Sequence, residues 1–374
     1  MKHRLAIIML LLGGSCVVYI TVWPVLGCRD TTICLQNNML EKYKTNCSCS
    51  EPVNALNTNN LATYHGVQVR DKLRISGLNL QVNQHSELFP PAVNCPAKGY
   101  HYRKQAVSVY EGVMLNTELD MLEAHIFEAY QGIDKFVIVE SSFTFQGDRK
   151  ALLFEDNKER FERYMDKILY ISAEMSVVGM QPFVIEGMSR NIIVEALLFL
   201  NVSDTSILVS SDIDEIVSLE TLLTLKYCSL PTQGRLEMPF YYYSLHWIHS
   251  VSWNRPFWRT ILSFKNKELE VSNVRFGEED LGIVLKNSGW HCSCFGNASF
   301  IVNKLHSFSH SEFREPPYNT IEHITLTILA GKDFLDRPEI VLSYVPTNQF
   351  QAPSAYYLAP NLHDLFVLWD KVAG

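Results

Sequence analysis

Three acids end an apolar run in the middle of the chain. Ser206 to Ile216 reads S-I-L-V-S-S-D-I-D-E-I, so the run closes on Asp212, Asp214 and Glu215. Such a run predicts a buried strand, and alternate strand residues share a side, which places Asp212 beside Asp214. Carboxylates gathered at the end of a strand repel each other unless a cation compensates them. We predict a Mg²⁺ or Mn²⁺ site that carries a phosphorylated substrate; the alternative is an ordinary acidic turn.

The composition is that of a globular protein with an acidic balance. The 374 residues are 47% hydrophobic and 19% charged, which suits one large domain or two ordinary ones. The formal net charge is -8 and there is no long basic run, which argues against nucleic acid as the main partner. A negative protein still binds a nucleotide diphosphate where a metal supplies positive charge.

The first 27 residues predict a membrane anchor. Lys2 and Arg4 precede an uncharged apolar stretch from Leu5 to Leu26, which as a helix is long enough to cross a bilayer. Basic residues before the span favour a cytoplasmic N-terminus and place the rest of the chain on the other side. We predict an uncleaved signal anchor over residues 1–27, with a cleaved signal peptide as the alternative.

A cysteine-rich segment over residues 28–104 predicts a lumenal stem. It lacks sustained periodicity and holds five of the nine cysteines, whose pairing the spacing leaves open. The alternative is a small independent cysteine-rich module. Glycosylation sequons begin at Asn46, Asn201 and Asn297, and together with the anchor they favour the lumen of the secretory pathway.

Residues 105–374 are the predicted catalytic domain. Apolar strand-like runs alternate with helical patterns, which predicts an α/β fold with a mostly parallel sheet and helices on both faces. The predicted strands are Val107 to Leu115, Phe136 to Val139, Lys167 to Ile171 and Ile207 to Ser210, and the predicted helices are Leu119 to Tyr130 and Phe183 to Leu200.

Two later segments have side chains suited to sugar chemistry. Arg235 to Trp258 is dense in aromatic residues, which either line a groove for a sugar acceptor or pack in a β-rich core. Gly277 to Asp280 reads G-E-E-D, and its Glu279 and Asp280 are either a general base or solvated surface.

The segment Ser288 to Phe295 reads S-G-W-H-C-S-C-F. His291, Cys292 and Cys294 are spaced too tightly for the usual structural zinc site, so a disulfide or a buried thiol is the better interpretation. Lys304 follows, and a cation at this point would help to bind a diphosphate.

Several motifs, in order from Val107 to Arg337, resemble glycosyltransferase family 17. They are N-T-E-L-D-M-L-E-A-H from Asn116 to His125, the segment Phe136 to Gly147, the positions Pro182, Phe183, Val184, Glu186 and Arg190, S-D-I-D-E-I from Ser211 to Ile216, S-G-W-H-C-S from Ser288 to Ser293, and Ala330 to Phe334. The chain departs from the family pattern at Val217, where proline is usual, and in the C-S-C-F segment, which is one residue shorter.

The resemblance implies a GT-A type fold and an inverting transferase. The expected reaction moves N-acetylglucosamine from UDP-GlcNAc to a mannose of an N-glycan, in the manner of a bisecting β-1,4-N-acetylglucosaminyltransferase of the Golgi. A Mn²⁺ ion held by Asp212 and Asp214, with Glu215 as ligand or support, would neutralise the UDP leaving group. One carboxylate must take the acceptor proton, for which Glu279 and Asp280 are the candidates.

The same resemblance implies a set of residues that contact the nucleotide sugar. These are Glu140, Arg190, Asp212, Trp290, His291 and Lys304. For Arg190 the alternative is a helical salt bridge with Glu186 at i,i+4. Rival functions are a non-catalytic glycan-binding protein and a metal-dependent phosphodiesterase.

Overall fold

The computed structural model describes residues 93–174, 177, 179–265, 271–277 and 281–369. Before residue 93 it gives the backbone of four strands only: β1 (Leu5–Leu12), β2 (Ser15–Val22), β3 (Thr31–Leu35) and β4 (Lys72–Ser76). Apart from the backbone of these strands, the predicted anchor and most of the predicted stem therefore lie outside the described residues.

The membrane helix predicted over Leu5 to Leu26 is not confirmed. Within it, β1 and β2 have extended backbones that pair antiparallel. None of the helices in the described part of the chain is both long and apolar enough to span a bilayer. The anchor stays a prediction from the sequence.

The large sheet confirms the predicted parallel core. Its strands are β5 Val109–Leu115, β6 Lys135–Ser141, β7 Ile168–Glu174, β8 Ile207–Ser210, β10 Gln233–Leu236, β13 Phe257–Thr260 and β14 Val284–Leu285. Four parallel strands lie in the order β7-β6-β5-β8. Beyond β8, β13 pairs antiparallel with β8 and β10 pairs antiparallel with β13, with β14 at the edge, and on the other side β4 pairs with β7.

The helices cover both faces of this sheet, as predicted. Residues of β5 and β6 alternate between two cores, one that contains the first helix and one that contains the third, because successive strand side chains point to opposite faces. The helices are α1 Leu119–Ala129, α2 Leu153–Asp156, α3 Pro182–Phe199, α4 Leu219–Tyr227, α5 Ile261–Lys265, α6 Val271–Phe276, α7 Ala298–Leu305, α8 Ile321–Leu329, α9 Ser354–Leu358 and α10 His363–Val367.

A second, five-stranded sheet has the order β16-β12-β11-β15-β9. It begins immediately after the acids, since β9 comprises Glu215–Val217. The other strands are β11 Phe240–Tyr242, β12 Trp247–His249, β15 Gly289–Ser293 and β16 Leu342–Tyr344. The chain thus leaves the first sheet at the end of β8 and enters the second sheet at β9, with Asp212 and Asp214 between the two strands.

A disulfide between Cys95 and Cys228 ties the start of the described chain to the end of α4. Val93 and Cys95 are buried in the main core, about ten residues before the boundary predicted at residue 105. Part of the segment predicted as stem therefore packs as part of the catalytic domain.

We predict that Cys95→Ser/Cys228→Ser lowers the free energy of unfolding by about 2–5 kcal/mol, because the bond closes a loop of 133 residues. Thermal unfolding of the full chain measures this. Reductant should lower the melting temperature of the wild type and leave the double variant unchanged. An unchanged melting temperature in the double variant contradicts the prediction.

Candidate active site

The acids lie where the order of the parallel strands reverses. The chain runs outward from β5 to β6 and β7 and returns, through the long helix α3, to β8 on the other side of β5. In an open α/β sheet, ligands bind at this switch point, beyond the carboxyl ends of the strands. Asp212 follows β8 here, and Asn116 and Glu118 follow β5.

A cavity of about 460 Å³ opens at this point and includes both predicted metal acids. Asp212 and Asp214 line it, but they lie in the turn between β8 and β9 and not on an extended strand. The predicted proximity therefore holds for a different reason, since the turn directs both carboxylates to one space.

Two buried arginines hold Asp212. Arg190 of α3 donates to its Oδ1 at 2.8 Å, and Arg275 of α6 contacts its Oδ2. Burial of the carboxyl raises its pKa, but the two guanidinium groups outweigh that effect and the pKa of Asp212 lies below its usual range. Its side chain is still 34% exposed, so this carboxylate faces the cavity.

Asp214 is paired with Lys304 of α7. The Lys304 ammonium lies 2.8 Å from Asp214 Oδ2 and 3.1 Å from Glu118 Oε1, so it bridges the ends of β8 and β5. His291 Nε2 is 3.8 Å from Asp214 Oδ1, and burial lowers the pKa of this imidazole. The second oxygen of Asp214 thus faces the His291 ring and the cavity.

Glu215 is a supporting group in this geometry. Its carboxylate is fully buried and accepts from both nitrogens Nη1 and Nη2 of Arg275, at 3.0 and 2.6 Å, and from the Trp253 indole. It also accepts the Asp212 amide N–H at 2.6 Å. Because these partners enclose it, Glu215 holds Arg275 and the turn, and the predicted role as a direct metal ligand finds no support here.

Of the residues predicted to contact the nucleotide sugar, four gather at the site. Arg190, Asp212, His291 and Lys304 surround or line the cavity. The helical salt bridge of Arg190 with Glu186 is present at 2.8 Å, beside its bond to Asp212, and its contact with the nucleotide stays a prediction. Trp290 points away, because it precedes His291 on β15, and its indole donates to the Gln351 carbonyl.

Glu140 does not lie in the cavity. Its buried carboxylate accepts from the amides of Leu153 and Phe154 at the start of α2, from the Tyr170 hydroxyl at 2.8 Å and from Lys150. Acidic side chains at a helix N-terminus satisfy its free N–H groups. The predicted nucleotide contact by Glu140 is therefore replaced by a structural role.

The remaining predictions have mixed outcomes. Glu279 and Asp280 lie outside the described residues, so their role as general base stays a prediction. Cys292 and Cys294 are free thiols with no disulfide between them, and the buried-thiol interpretation is confirmed for Cys292, whereas Cys294 is half-buried. Among the described residues no group of three or more histidine, cysteine or acidic side chains is arranged to hold a metal.

The sequence did not indicate Arg275 or Glu118 as site residues, whereas it did indicate the aromatic segment from Arg235 to Trp258. Within the aromatic segment, Phe240, Tyr242 and Trp253 line the cavity, while Phe257 and Trp258 are core residues. The position of Glu118 after β5 could have indicated that it belongs to the site, because the switch point brings the ends of β5 and β8 together. No sequence pattern indicates Arg275, since it reaches Asp212 only through the packing of α6 on α3.

The family assignment rests on a sequence comparison that spans most of the chain. A model described as Glycosyltransferase family 17 matches residues 82–344. The chain belongs to glycosyltransferase family 17. No curated protein matches the chain significantly. The matched region contains the switch point, the acid turn and the cationic side chains that contact the turn in the described part of the chain. Membership of the family makes glycosyl transfer the general reaction of the chain.

We predict that Glu140→Gln lowers the free energy of unfolding by about 1–3 kcal/mol, because one of the two carboxylate oxygens that accept from four donors becomes a donating NH₂ group and leaves donors without an acceptor. Chemical denaturation measures this. The KM for the sugar donor should stay at the wild-type value. A raised donor KM with unchanged stability would contradict the structural role and support the predicted contact of Glu140 with the nucleotide.

Proposed function

We propose that this family 17 chain transfers N-acetylglucosamine from UDP-GlcNAc, with inversion, to a mannose of N-glycans through a GT-A type fold. The observation that carries the proposal is the acid turn, Asp212 to Glu215, which opens into a cavity at the switch point of the sheet. The donor and the bisecting acceptor come from the resemblance described above. The cavity adds the charged and aromatic groups that such substrates need.

We propose that the acid turn binds a divalent cation, Mn²⁺, which takes only part of its ligands from the protein, since the described side chains form no group of three that could hold a metal alone. At the cavity and its acid turn the described carboxylates are Glu118, Glu186, Asp212, Asp214, Glu215 and Glu339, and the described side-chain cations are Arg190, Arg275, Lys304 and Arg337. The carboxylates therefore exceed the side-chain cations, and a buried excess of negative charge favours a bound cation.

Asp212 and Asp214 would hold the metal, and Glu215 would support the turn. Two protein carboxylates leave room in the coordination sphere for water and for phosphate oxygens, as is usual where a metal carries a phosphorylated substrate. When bound, the ion would neutralise charge that develops on the UDP leaving group.

The side chains of this protein then have separate tasks. Arg190 and Arg275 fix the Asp212 carboxylate, so its oxygens are preorganised before the donor arrives. Lys304 lines the same cavity, and its ammonium would bind a diphosphate oxygen. Glu279 or Asp280 would take the proton of the acceptor hydroxyl, as proposed from the sequence.

We also propose a single-pass type II protein of the Golgi membrane with its catalytic domain in the lumen. The charge pattern of residues 1–27 supports this orientation. Asn201 and Asn297, which begin two of the sequons, are both exposed, so glycan attachment meets no packing obstacle. The Cys95–Cys228 disulfide suits an oxidising compartment.

Asp214→Asn should lower UDP-GlcNAc turnover by roughly 100-fold or more, because electrostatic stabilisation of the leaving group is lost. The assay uses the full chain with an N-glycan acceptor, with Mn²⁺ and after chelation. Chelation should abolish wild-type activity. The matched control is Asp204→Asn, an exposed acid paired with Lys265, which should be wild-type. Full activity of Asp214→Asn, or of the chelated wild type, contradicts the metal site.

The rim of the cavity suggests where the acceptor binds. Phe183 and Phe276 both line the cavity, yet their side chains are 48% and 50% exposed. Flat apolar sugar faces pack on exposed aromatic rings. We therefore propose that these two rings contact the acceptor glycan.

Phe183→Ala should raise the acceptor KM by about two- to tenfold, which corresponds to about 0.5–1.5 kcal/mol of lost ring contact. The donor KM should not change. Tyr357→Ala is the control, since Tyr357 is 64% exposed and does not line the cavity. A change confined to the donor KM would place the nucleotide, and not the acceptor, against this ring.

A further inference from the structure

A buried histidine lies directly behind the acid turn. His125 of α1 is fully buried, and its Nδ1 lies 2.9 Å from the carbonyl oxygen of Ile213. Its Nε2 lies 2.8 Å from Oε1 of Glu111 on β5. Ile213 is the residue between Asp212 and Asp214, so this histidine contacts the backbone of the turn between its two carboxylates.

The chemistry of these contacts fixes where the protons lie. A carbonyl oxygen only accepts, so His125 Nδ1 must carry a hydrogen and donate it to Ile213. A further proton lies between Nε2 and the Glu111 carboxyl, because two acceptors do not bond to each other. The pair is neutral overall whichever atom holds that proton.

Glu111 needs this partner. Its Oε1 also accepts from the Ser211 hydroxyl at 3.1 Å, and within the described chain its Oε2 has no hydrogen-bond partner. Burial alone lowers the pKa of His125, but the Glu111 charge and the hydrogen bonds to Glu111 and Ile213 raise it overall. The imidazole therefore compensates a carboxylate that would be costly to bury alone.

The pair also restricts the turn. The Ile213 carbonyl is tied to α1 through His125, while the flanking Asp214 carbonyl accepts the Cys292 amide at 2.6 Å. Glu111 lies on the central strand β5 and holds the ring through Nε2, while the Ile213 carbonyl fixes Nδ1 as a donor. An acidic group that orients an imidazole in this manner is well known to control the tautomer of the ring.

We propose that Glu111 and His125 are positioning residues, which hold the Asp212-Ile213-Asp214 turn in the geometry that presents both carboxylates to the cavity. The proposal depends on the proposed function only in the use made of those carboxylates. Neither residue lines the cavity. Their effect on the reaction is therefore indirect, through the backbone of the turn.

Hydrogen–deuterium exchange of the full chain, followed by mass spectrometry without metal or substrate, tests the proposal. The main variant is Glu111→Leu/His125→Leu, which removes the donor and the buried acid together and so leaves no unpaired charge. In it, the peptide over residues 211–217 should exchange at least about tenfold faster, because the turn loses its hold on α1.

Two further variants make the result specific. Glu111→Gln keeps a polar partner for His125 Nε2 and should keep wild-type exchange in the turn. Phe161→Leu, a fully buried site that contacts Phe154, should lower stability without selective change in the turn. His125→Gln, which can donate to Ile213 or to Glu111 but not to both, replaces the double variant if that variant does not fold, and it should also speed exchange of the turn.

The kinetic readout completes the test. At a temperature where all variants are folded, the double variant should lose kcat by about tenfold or more, and Glu111→Gln should stay near wild type. Wild-type exchange of residues 211–217 in a folded double variant overturns the proposal. So does an equal change in Phe161→Leu. A wild-type chain without transferase activity would refute the proposed function but leave the exchange result intact.

Discussion

The fold depends on an acid turn that is enclosed by cations. Asp212 and Glu215 share the guanidinium of Arg275, and Arg190 binds the other side of Asp212. Like charges in a buried turn are unfavourable unless each is paired, so these arginines make the turn possible. They come from α3 and α6, which means that the packing of the helices and the geometry of the turn stabilise each other. The large sheet supplies the strand that ends in the turn, and the small sheet begins where the turn ends.

The sequence predicted the fold better than the site because the two depend on different information. The strand Ile207–Ser210 and the helix over residues 182–199 follow from local hydrophobic periodicity, and both were predicted to within a residue. Glu140 shows the limit. An acid at a strand end has the same sequence signature whether it binds a ligand or the first turn of the next helix. Only the path of the chain after Gly147, which brings the α2 amides back to Glu140, decides between them.

The roles within the acid motif show the same limit. The three acids cannot be distinguished by residue type, yet two arginines bind Asp212, a lysine binds Asp214, and Glu215 accepts a hydrogen bond from a tryptophan. These different roles depend on partners that lie more than 20 positions away along the chain. Two features of the site can be predicted from the sequence pattern. The ends of two neighbouring parallel strands meet, and adjacent strand residues such as Trp290 and His291 face opposite sides of the sheet.

The proposed function requires that the turn binds a metal–nucleotide complex through Asp214 and Asp212. Isothermal titration calorimetry of UDP into the full chain, with and without Mn²⁺, tests this most directly, because it requires no acceptor and no turnover. We expect wild-type protein to bind UDP tightly only when Mn²⁺ is present, and we expect Asp214→Asn to remove this dependence on the metal. UDP binding of equal affinity with and without Mn²⁺, or metal-dependent binding that survives in Asp214→Asn, would contradict it.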